Sequence, residues 1–179
     1  MSDVDAMSIR RASPPDVDVI CAIYNEAISE RRSTFETKPC TASDFQKRIS
    51  VDQLPFLVGE IEQVLGWAGL SEYSGRPCYA GIGEASIYVA PEARGMGVGT
   101  ALTEALAAES ERRGYYKLLG KLFTDNHSSI RLVERCGFSE VGTHRCHGQL
   151  DGKWRDVLLV ERLLGVVEDV ARPSTASPG

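Results

Sequence analysis

The stretch from Glu84 to Leu106, EASIYVAPEARGMGVGTALTEAL, sets the strongest constraint on the fold. Apolar and polar residues alternate up to Val89, the period of a half-buried strand. A short turn with Pro91 follows, and Arg94-Gly95-Met96-Gly97-Val98-Gly99 then opens into a long amphipathic run stopped by Gly114. The first amides of such a helix have no internal partner, and the macrodipole puts partial positive charge there. Glycines remove side-chain bulk, so a pyrophosphate can reach the main chain. The segment predicts an anion cradle between a strand and a helix.

Two familiar phosphate loops do not fit. The glycines fall at 95, 97 and 99, not at the G-x-G-x-x-G spacing, and no acidic strand end follows about 20 residues on. The Gly-Lys-Ser/Thr of a nucleoside-triphosphate loop is absent as well. Net charge is -5 over 179 residues, which argues against nucleic acid as a partner, since phosphate backbones need basic faces. It leaves room for a local basic site. No apolar run approaches the roughly 20 residues that span a bilayer, so no membrane partner is expected. Cys21, Cys40, Cys78, Cys136 and Cys146 are odd in number and form no C-x-x-C pair, which predicts reduced thiols and a cytoplasmic protein.

Residues 1–7 read as a flexible leader, 8–165 as one domain and 166–179 as a disordered tail. A strand is predicted over Ile9–Ala12. Ser13-Pro14-Pro15-Asp16 then starts a helix that runs to about Glu30. After a loop from Arg31 to Cys40, Thr41 or Ser43 caps a helix to about Ser50. Strands follow over Leu54–Ile61 and Val64–Leu70, joined as a hairpin at Glu62-Gln63. Beyond the glycine-run helix come a strand at Leu118–Thr124, a helix opened by Asp125-Asn126-His127-Ser128, and a hairpin of Ser139–His147 with Trp154–Leu163 around Asp151-Gly152. Early antiparallel strands and later strand–helix alternation predict a mixed α/β (α+β) sheet.

A second constellation reinforces the first. Asn126-His127-Ser128-Ser129 opens one helix, and Glu134-Arg135-Cys136-Gly137-Phe138 closes it. In this order, R-x-x-G-x-G, then D-N-x-x-S, then E-x-x-G-F, the chain resembles the GNAT superfamily of N-acetyltransferases. Within it, the chain is similar to the phosphinothricin and arsinothricin acetyltransferase family. The matching pieces are Ser33-Thr34-Phe35-Glu36-Thr37, Gly66-Trp67-Ala68, Arg76-x-x-Tyr79, Glu84 to Val89, Arg94 to Gly99, Asn126 to Ser129, Gly137-Phe138 and Gly152 to Asp156.

The resemblance implies a GNAT fold: a mixed, mostly antiparallel central sheet flanked by helices, whose central strands splay apart around acetyl-CoA. It implies that Ile87, Tyr88 and Val89 offer backbone groups to the pantetheine arm and thioester. The loop Arg94, Gly95, Met96, Gly97, Val98, Gly99 and Thr100 would hold the pyrophosphate, with Asn126, Ser128 and Ser129 contacting the cofactor further along. Phe35, Arg76 and Tyr79 would bind a small amino-acid-like acceptor such as phosphinothricin, methionine sulfoximine or arsinothricin, and the protein would be a homodimer.

The chemistry needs a proton acceptor, because an amine attacks a thioester only when unprotonated. On a period-2 strand Glu84, Ser86 and Tyr88 share one face, and the resemblance makes Glu84 the general base. Burial would have to raise an ordinary carboxylate for that task at neutral pH. The helix tyrosine that many superfamily members use as general acid is replaced by Val133, leaving water, Tyr88 or Tyr79 to protonate the leaving thiolate. Some relatives carry His where this chain has Arg155. His144, Arg145, Cys146 and His147 carry no second ligand group at metal spacing, so no metal is expected. Strand alternation would put His144 and Cys146 on one face, Arg145 and His147 on the other. Two other readings stay open: the same fold acting on a polyamine, an aminoglycoside or a protein N-terminus, and a non-catalytic acyl-CoA-binding module.

Overall fold

The computed structural model describes residues 7–165 and Val167. The leader up to residue 6 and the tail at residue 166 and residues 168–179 lie outside the described residues. The elements are β1 (Ser8–Arg11), α1 (Val17–Glu30), α2 (Ala42–Ile49), β2 (Phe56–Glu60), β3 (Val64–Glu72), β4 (Ile82–Val89), α3 (Val98–Arg112), β5 (Lys117–Phe123), α4 (His127–Arg135), β6 (Ser139–Leu150) and β7 (Lys153–Leu163). They build one seven-stranded sheet in the order β1-β2-β3-β4-β5-β7-β6. Every neighbouring pair is antiparallel except β4–β5, which is parallel.

Local chemistry sets the helix boundaries. The Asp16 carboxylate accepts from the Ser13 amide at 2.7 Å and the Ser13 hydroxyl at 2.8 Å, the reciprocal arrangement that starts a helix. Arg10 grips the same carboxylate at 2.7 and 2.8 Å, and that guanidinium holds Asp16 well below the usual carboxylate range. Thr41, rather than Ser43, caps α2, with its amide and hydroxyl both on Asp44.

Two layers of helix sandwich the sheet. Neighbouring residues of a strand point to opposite faces, and Gly66 and Trp67 mark the two sides. Trp67, fully buried, meets Tyr24 of α1 and Phe45 of α2 and stacks on Phe56 at 5.0 Å. Arg48 lies over the Phe45, Phe56 and Trp67 rings at 5.4–5.6 Å, and burial pulls its guanidinium down. On the other face a Cβ at Gly66 would come within 3.1 Å of Leu102 on α3. The bare glycine thus lets α3 seat directly on the sheet.

The central strands part as expected. Parallel pairing runs through Ile82↔Lys117 and Gly83↔Leu118 and stops at Glu84↔Leu119. Beyond that point β4 continues to Val89 and β5 to Phe123 without pairing to each other. The Ala90 amide donates to the Leu65 carbonyl at 2.8 Å, which fixes the alternation along β3–β4. Tyr88 and Ser86 bond with β3, and Ile87 and Val89 turn their N–H and C=O toward the gap.

One expectation about the last hairpin is overturned. Between His144↔Val157 and Gly148↔Arg155 the register slips, so three residues of β6 oppose Asp156 alone. Cys146 takes φ 49° there, and its amide donates to Asp156 Oδ1 at 2.7 Å. The bulge breaks the alternation, and the His144 and His147 rings stack at 4.7 Å instead of facing apart.

Candidate active site

The gap between β4 and β5 opens into two adjoining cavities of about 460 and 430 Å³. They share Ser33, Ile87, Tyr88, Asn126, Ser129 and Leu132. A group lying at that junction is accessible from both cavities.

The first cavity is bounded by the backbone of β4 and the start of α3. Ile87, Tyr88, Val89, Arg94, Gly95, Gly97, Gly99, Thr100, Asn126, Ser128 and Ser129 all line it. Met96 and Val98 do not: Val98 is in the core, and Met96 packs against it. The three glycines serve different ends. Gly95 and Gly97 have φ of 80° and 86°, a region that a side chain strains. Gly99 lies inside the helix, where a Cβ would come within 3.1 Å of Leu132. It lets α3 and α4 approach.

The two helix starts differ as well. No side chain caps α3, so the amides of its first turn remain available to a ligand. At α4 the Asn126 Oδ1 accepts from the Ser129 amide at 3.3 Å and the Ser128 hydroxyl at 3.0 Å. Asn126 is therefore the helix cap. Its Nδ2 has no partner among the described residues, and the residue lines both cavities.

The first cavity is basic on an acidic chain. Four arginines, Arg32, Arg94, Arg131 and Arg135, line it against one carboxylate, Glu30. Arg94 is bound in a fork to Glu30 at 2.7 and 3.1 Å, so its charge is matched. Arg32, Arg131 and Arg135 have no carboxylate partner among the described residues. The motif reading missed these three. The helical period of α4 could have found two of them, since Ser128, Arg131 and Arg135 recur at i, i+3 and i+7.

The second cavity holds Glu84, Phe35, Ser86, Lys121, Phe123, Val133 and His147. Phe35 meets Phe123 edge-on at 4.8 Å, and a Cβ at Gly148 would strike the Phe35 ring at 2.8 Å. The bulged end of β6 thus closes over that aromatic pair. Glu84 is partly exposed rather than enclosed, and its Oε2 accepts from Lys121 Nζ at 2.7 Å. Val133 is buried at the wall. Arg155 instead donates from Nη2 to both Asp125 carboxylate oxygens, at 2.6 and 2.8 Å, and sits 4.6 Å over the Phe123 ring.

Arg76 and Tyr79 line neither cavity. They pair with each other, the guanidinium 5.7 Å from the ring, and Tyr79 meets Tyr73 at 5.8 Å. Tyr88, at the junction, has its phenol pushed up by burial, so it stays protonated through the neutral range. Lys121 escaped sequence reasoning, and His147 was weighed only as a metal ligand. Their strands reach the cavity only through the splay of β5 and the bulge of β6.

Among the described residues no group of His, Cys, Asp and Glu side chains could hold a metal. None of the helices described is long and apolar enough to cross a membrane. All five cysteines are free thiols.

This geometry suits an activated acyl donor with an anionic tail: free amides and uncompensated arginines at one end, unpaired strand backbone leading to a carboxylate at the other. Known proteins agree. Residues 20–138 match the family model described as "Acetyltransferase (GNAT) family". The phosphinothricin N-acetyltransferase of Streptomyces coelicolor is 32% identical over 175 residues, covering 88% of this chain and 96% of that protein. The L-methionine sulfoximine/L-methionine sulfone acetyltransferase of Pseudomonas aeruginosa is 29% identical over 159 residues, covering 86% and 92%. The crystal structure of a phosphinothricin acetyltransferase from Sinorhizobium meliloti in complex with acetyl-CoA superposes with a TM-score of 0.86 at 29% identity, covering 96% of this chain and 95% of that one. The chain belongs to the GNAT family, in its phosphinothricin acetyltransferase-like group, and is an acetyl-CoA-dependent acetyltransferase.

Proposed function

We propose that the chain acetylates the α-amino group of a small amino-acid-like acceptor of the phosphinothricin, methionine sulfoximine or arsinothricin type. The observation that carries the reading is the junction of the two cavities at Ile87 and Tyr88, with basic groups on one side and Glu84 on the other. Acetyl-CoA supplies the activated acyl group. The amides at Gly97 to Thr100 and the arginines of the first cavity would hold its phosphates, and Ile87 and Val89 would bond along its arm. The Val89 N–H points into the gap, where it would polarise the thioester oxygen.

Glu84 accepts a proton from the acceptor's ammonium. The freed amine nitrogen then bonds the acyl carbon, the C–S bond breaks with its electron pair on sulfur, and the nitrogen loses its second proton to solvent as the neutral amide forms. The thiolate takes a proton from water or from the Tyr88 phenol. A thiol with a Cys-like pKa near 8.5 leaves readily, which makes Val133 tolerable at the usual acid position. Phe35 and Phe123 would cover the acceptor's apolar part. Arg76 and Tyr79 stand outside the cavity, so in this reading the polar acceptor contacts fall to residues inside it.

The reading includes a homodimer. Val141 and Trp154, 56% and 60% exposed on the β6–β7 ribbon, offer it apolar surface, and sedimentation at micromolar concentration tests it. Thiol release from acetyl-CoA against an amine panel tests the activity. Turnover of phosphinothricin and methionine sulfoximine, well above that of spermidine, is expected. Preference for spermidine or an aminoglycoside would replace the acceptor class, and tight acetyl-CoA binding with no turnover would leave a binding module.

A further inference from the structure

We infer that the Glu84–Lys121 ion pair is a receptor for the zwitterionic head of an α-amino acid, with Lys121 taking the α-carboxylate. The inference rests on the acceptor class proposed above and names the residue that selects it.

The geometry is specific. Glu84 stands at the last paired position of β4, opposite Leu119. Lys121 is two residues further along β5, on the face Leu119 occupies. The strands have already separated there, and the Lys121 side chain spans the opening to reach Glu84 Oε2 at 2.7 Å. Both residues line the acceptor cavity. Its charged lining is Glu36, Glu84 and Lys121, with His147 as a further titratable group, so Lys121 is its one lysine or arginine among the described residues.

An α-amino acid carries opposite charges on one carbon, its ammonium nitrogen about 2.5 Å from its carboxyl carbon. A carboxylate and an ammonium side by side form the complement of that head. The substrate's ammonium goes to Glu84 and its carboxylate to Lys121, so four charges alternate and none is left without a partner. The carboxylate also draws Lys121 away from Glu84, leaving Glu84 free to take the ammonium's proton. An amine without a neighbouring carboxylate meets the reverse situation. It must compete with Lys121 for Glu84, and its positive charge then lies against a displaced ammonium. The pair therefore rejects polyamines and amides and admits free amino acids.

The test compares L-methionine sulfone with its α-carboxamide as acceptors for wild type and Lys121→Met. The acid-to-amide ratio of kcat/KM within each enzyme is the quantity read. Comparing the ratio between enzymes removes the difference in amine basicity. In wild type the acid is expected to exceed the amide by about 100-fold. In Lys121→Met that preference should collapse to within about threefold, mainly through the acid's KM, with the amide's kcat/KM raised because Lys121 no longer competes for Glu84. Lys121→Arg should keep part of the preference. Lys121 is 46% exposed, so folding is undisturbed, and unchanged acetyl-CoA affinity and melting temperature will verify that.

A preference for the acid that survives Lys121→Met overturns this inference and leaves the acceptor class standing. Loss of both turnovers overturns it too, because it shows Lys121 supporting Glu84 itself rather than receiving the acceptor's carboxylate. A wild type that prefers the amide, or turns over neither while acetylating spermidine, overturns the acceptor class and this inference with it.

Discussion

The two cavities differ in how they are made. The cofactor cavity is largely main chain: the free amides of α3, the unpaired edge of β4, and glycines whose φ or packing excludes a side chain. Eight of its lining residues come from two short runs, 87–89 and 94–100. The acceptor cavity is a convergence of side chains from the 33–36 loop, β4, β5, α4 and the bulge of β6. No two of its charged groups are neighbours in sequence. A site built from backbone is a property of a local motif, so relatives with different acceptors can share it. A site built from distant side chains can change one residue at a time.

The largest test of that division is Glu84→Gln, which removes the proton acceptor and keeps the shape. We expect kcat/KM at neutral pH to fall about 10²–10³-fold, or about 3–4 kcal/mol of transition-state stabilisation. Acetyl-CoA affinity, followed by calorimetry, should stay unchanged. Full activity across the pH range would remove Glu84 from the reaction.

What was legible follows the same line. Strands, helices and the glycine run were readable because their signals are local: period, caps, stops. The splay was foreseen only through the family resemblance, and the structure puts it at Glu84↔Leu119. His147 was assigned by simple alternation, and the bulge sent it elsewhere. That bulge depends on Asp156 of another strand accepting the Cys146 amide, a cross-strand fact that no local pattern carries. Arg94 was read as part of the pyrophosphate loop, and its partner Glu30, 64 residues away, was not foreseen. Arg76 and Tyr79 matched a motif, yet their loop stands outside both cavities.

Gly99→Val tests the cofactor side alone. Its Cβ would press on Leu132 at 3.1 Å and meet Val89 at 3.6 Å, forcing α3 from α4. Overpacking of this kind costs about 1–3 kcal/mol. Acetyl-CoA affinity should drop about 10-fold or more, while the acid-to-amide preference among acceptors holds. Gly95→Ala is the control: nothing lies within 4 Å of its Cβ, and only its φ of 80° is strained, for about 1 kcal/mol.

Tyr88→Phe probes the junction. Burial pushes the phenol up, so the hydroxyl is a neutral donor throughout the neutral range and gives up its proton only above the ordinary value near 10. If it donates to the departing sulfur, kcat falls about 10-fold, equivalent to about 1.4 kcal/mol, by the same factor from pH 6 to pH 9. An unchanged kcat assigns that proton to water. The change should leave both the acetyl-CoA dissociation constant and the acceptor preference in place, since neither cavity draws its charge from Tyr88.

The smallest effect concerns charge at the cofactor end, and there the two halves of the arginine set should behave differently. Arg135 is exposed, and no carboxylate pairs with it among the described residues. Its replacement by Gln removes one long-range attraction for an anionic ligand, worth about 0.5 kcal/mol at low salt and less once the Debye length shrinks below about 10 Å. Acetyl-CoA binding should weaken about threefold at low ionic strength and hardly at all at 1 M salt. Glu30→Gln should do the opposite, because it releases Arg94 from its fork and adds one uncompensated positive charge to the same cavity. Binding should tighten about threefold at low salt, and again the effect should fade as salt rises. Titration of acetyl-CoA into both variants at two ionic strengths reads the sign directly. If Glu30→Gln weakens binding instead, the fork matters for holding the loop at Arg94 rather than for charge, and the cofactor cavity depends on side-chain geometry as much as the acceptor cavity does.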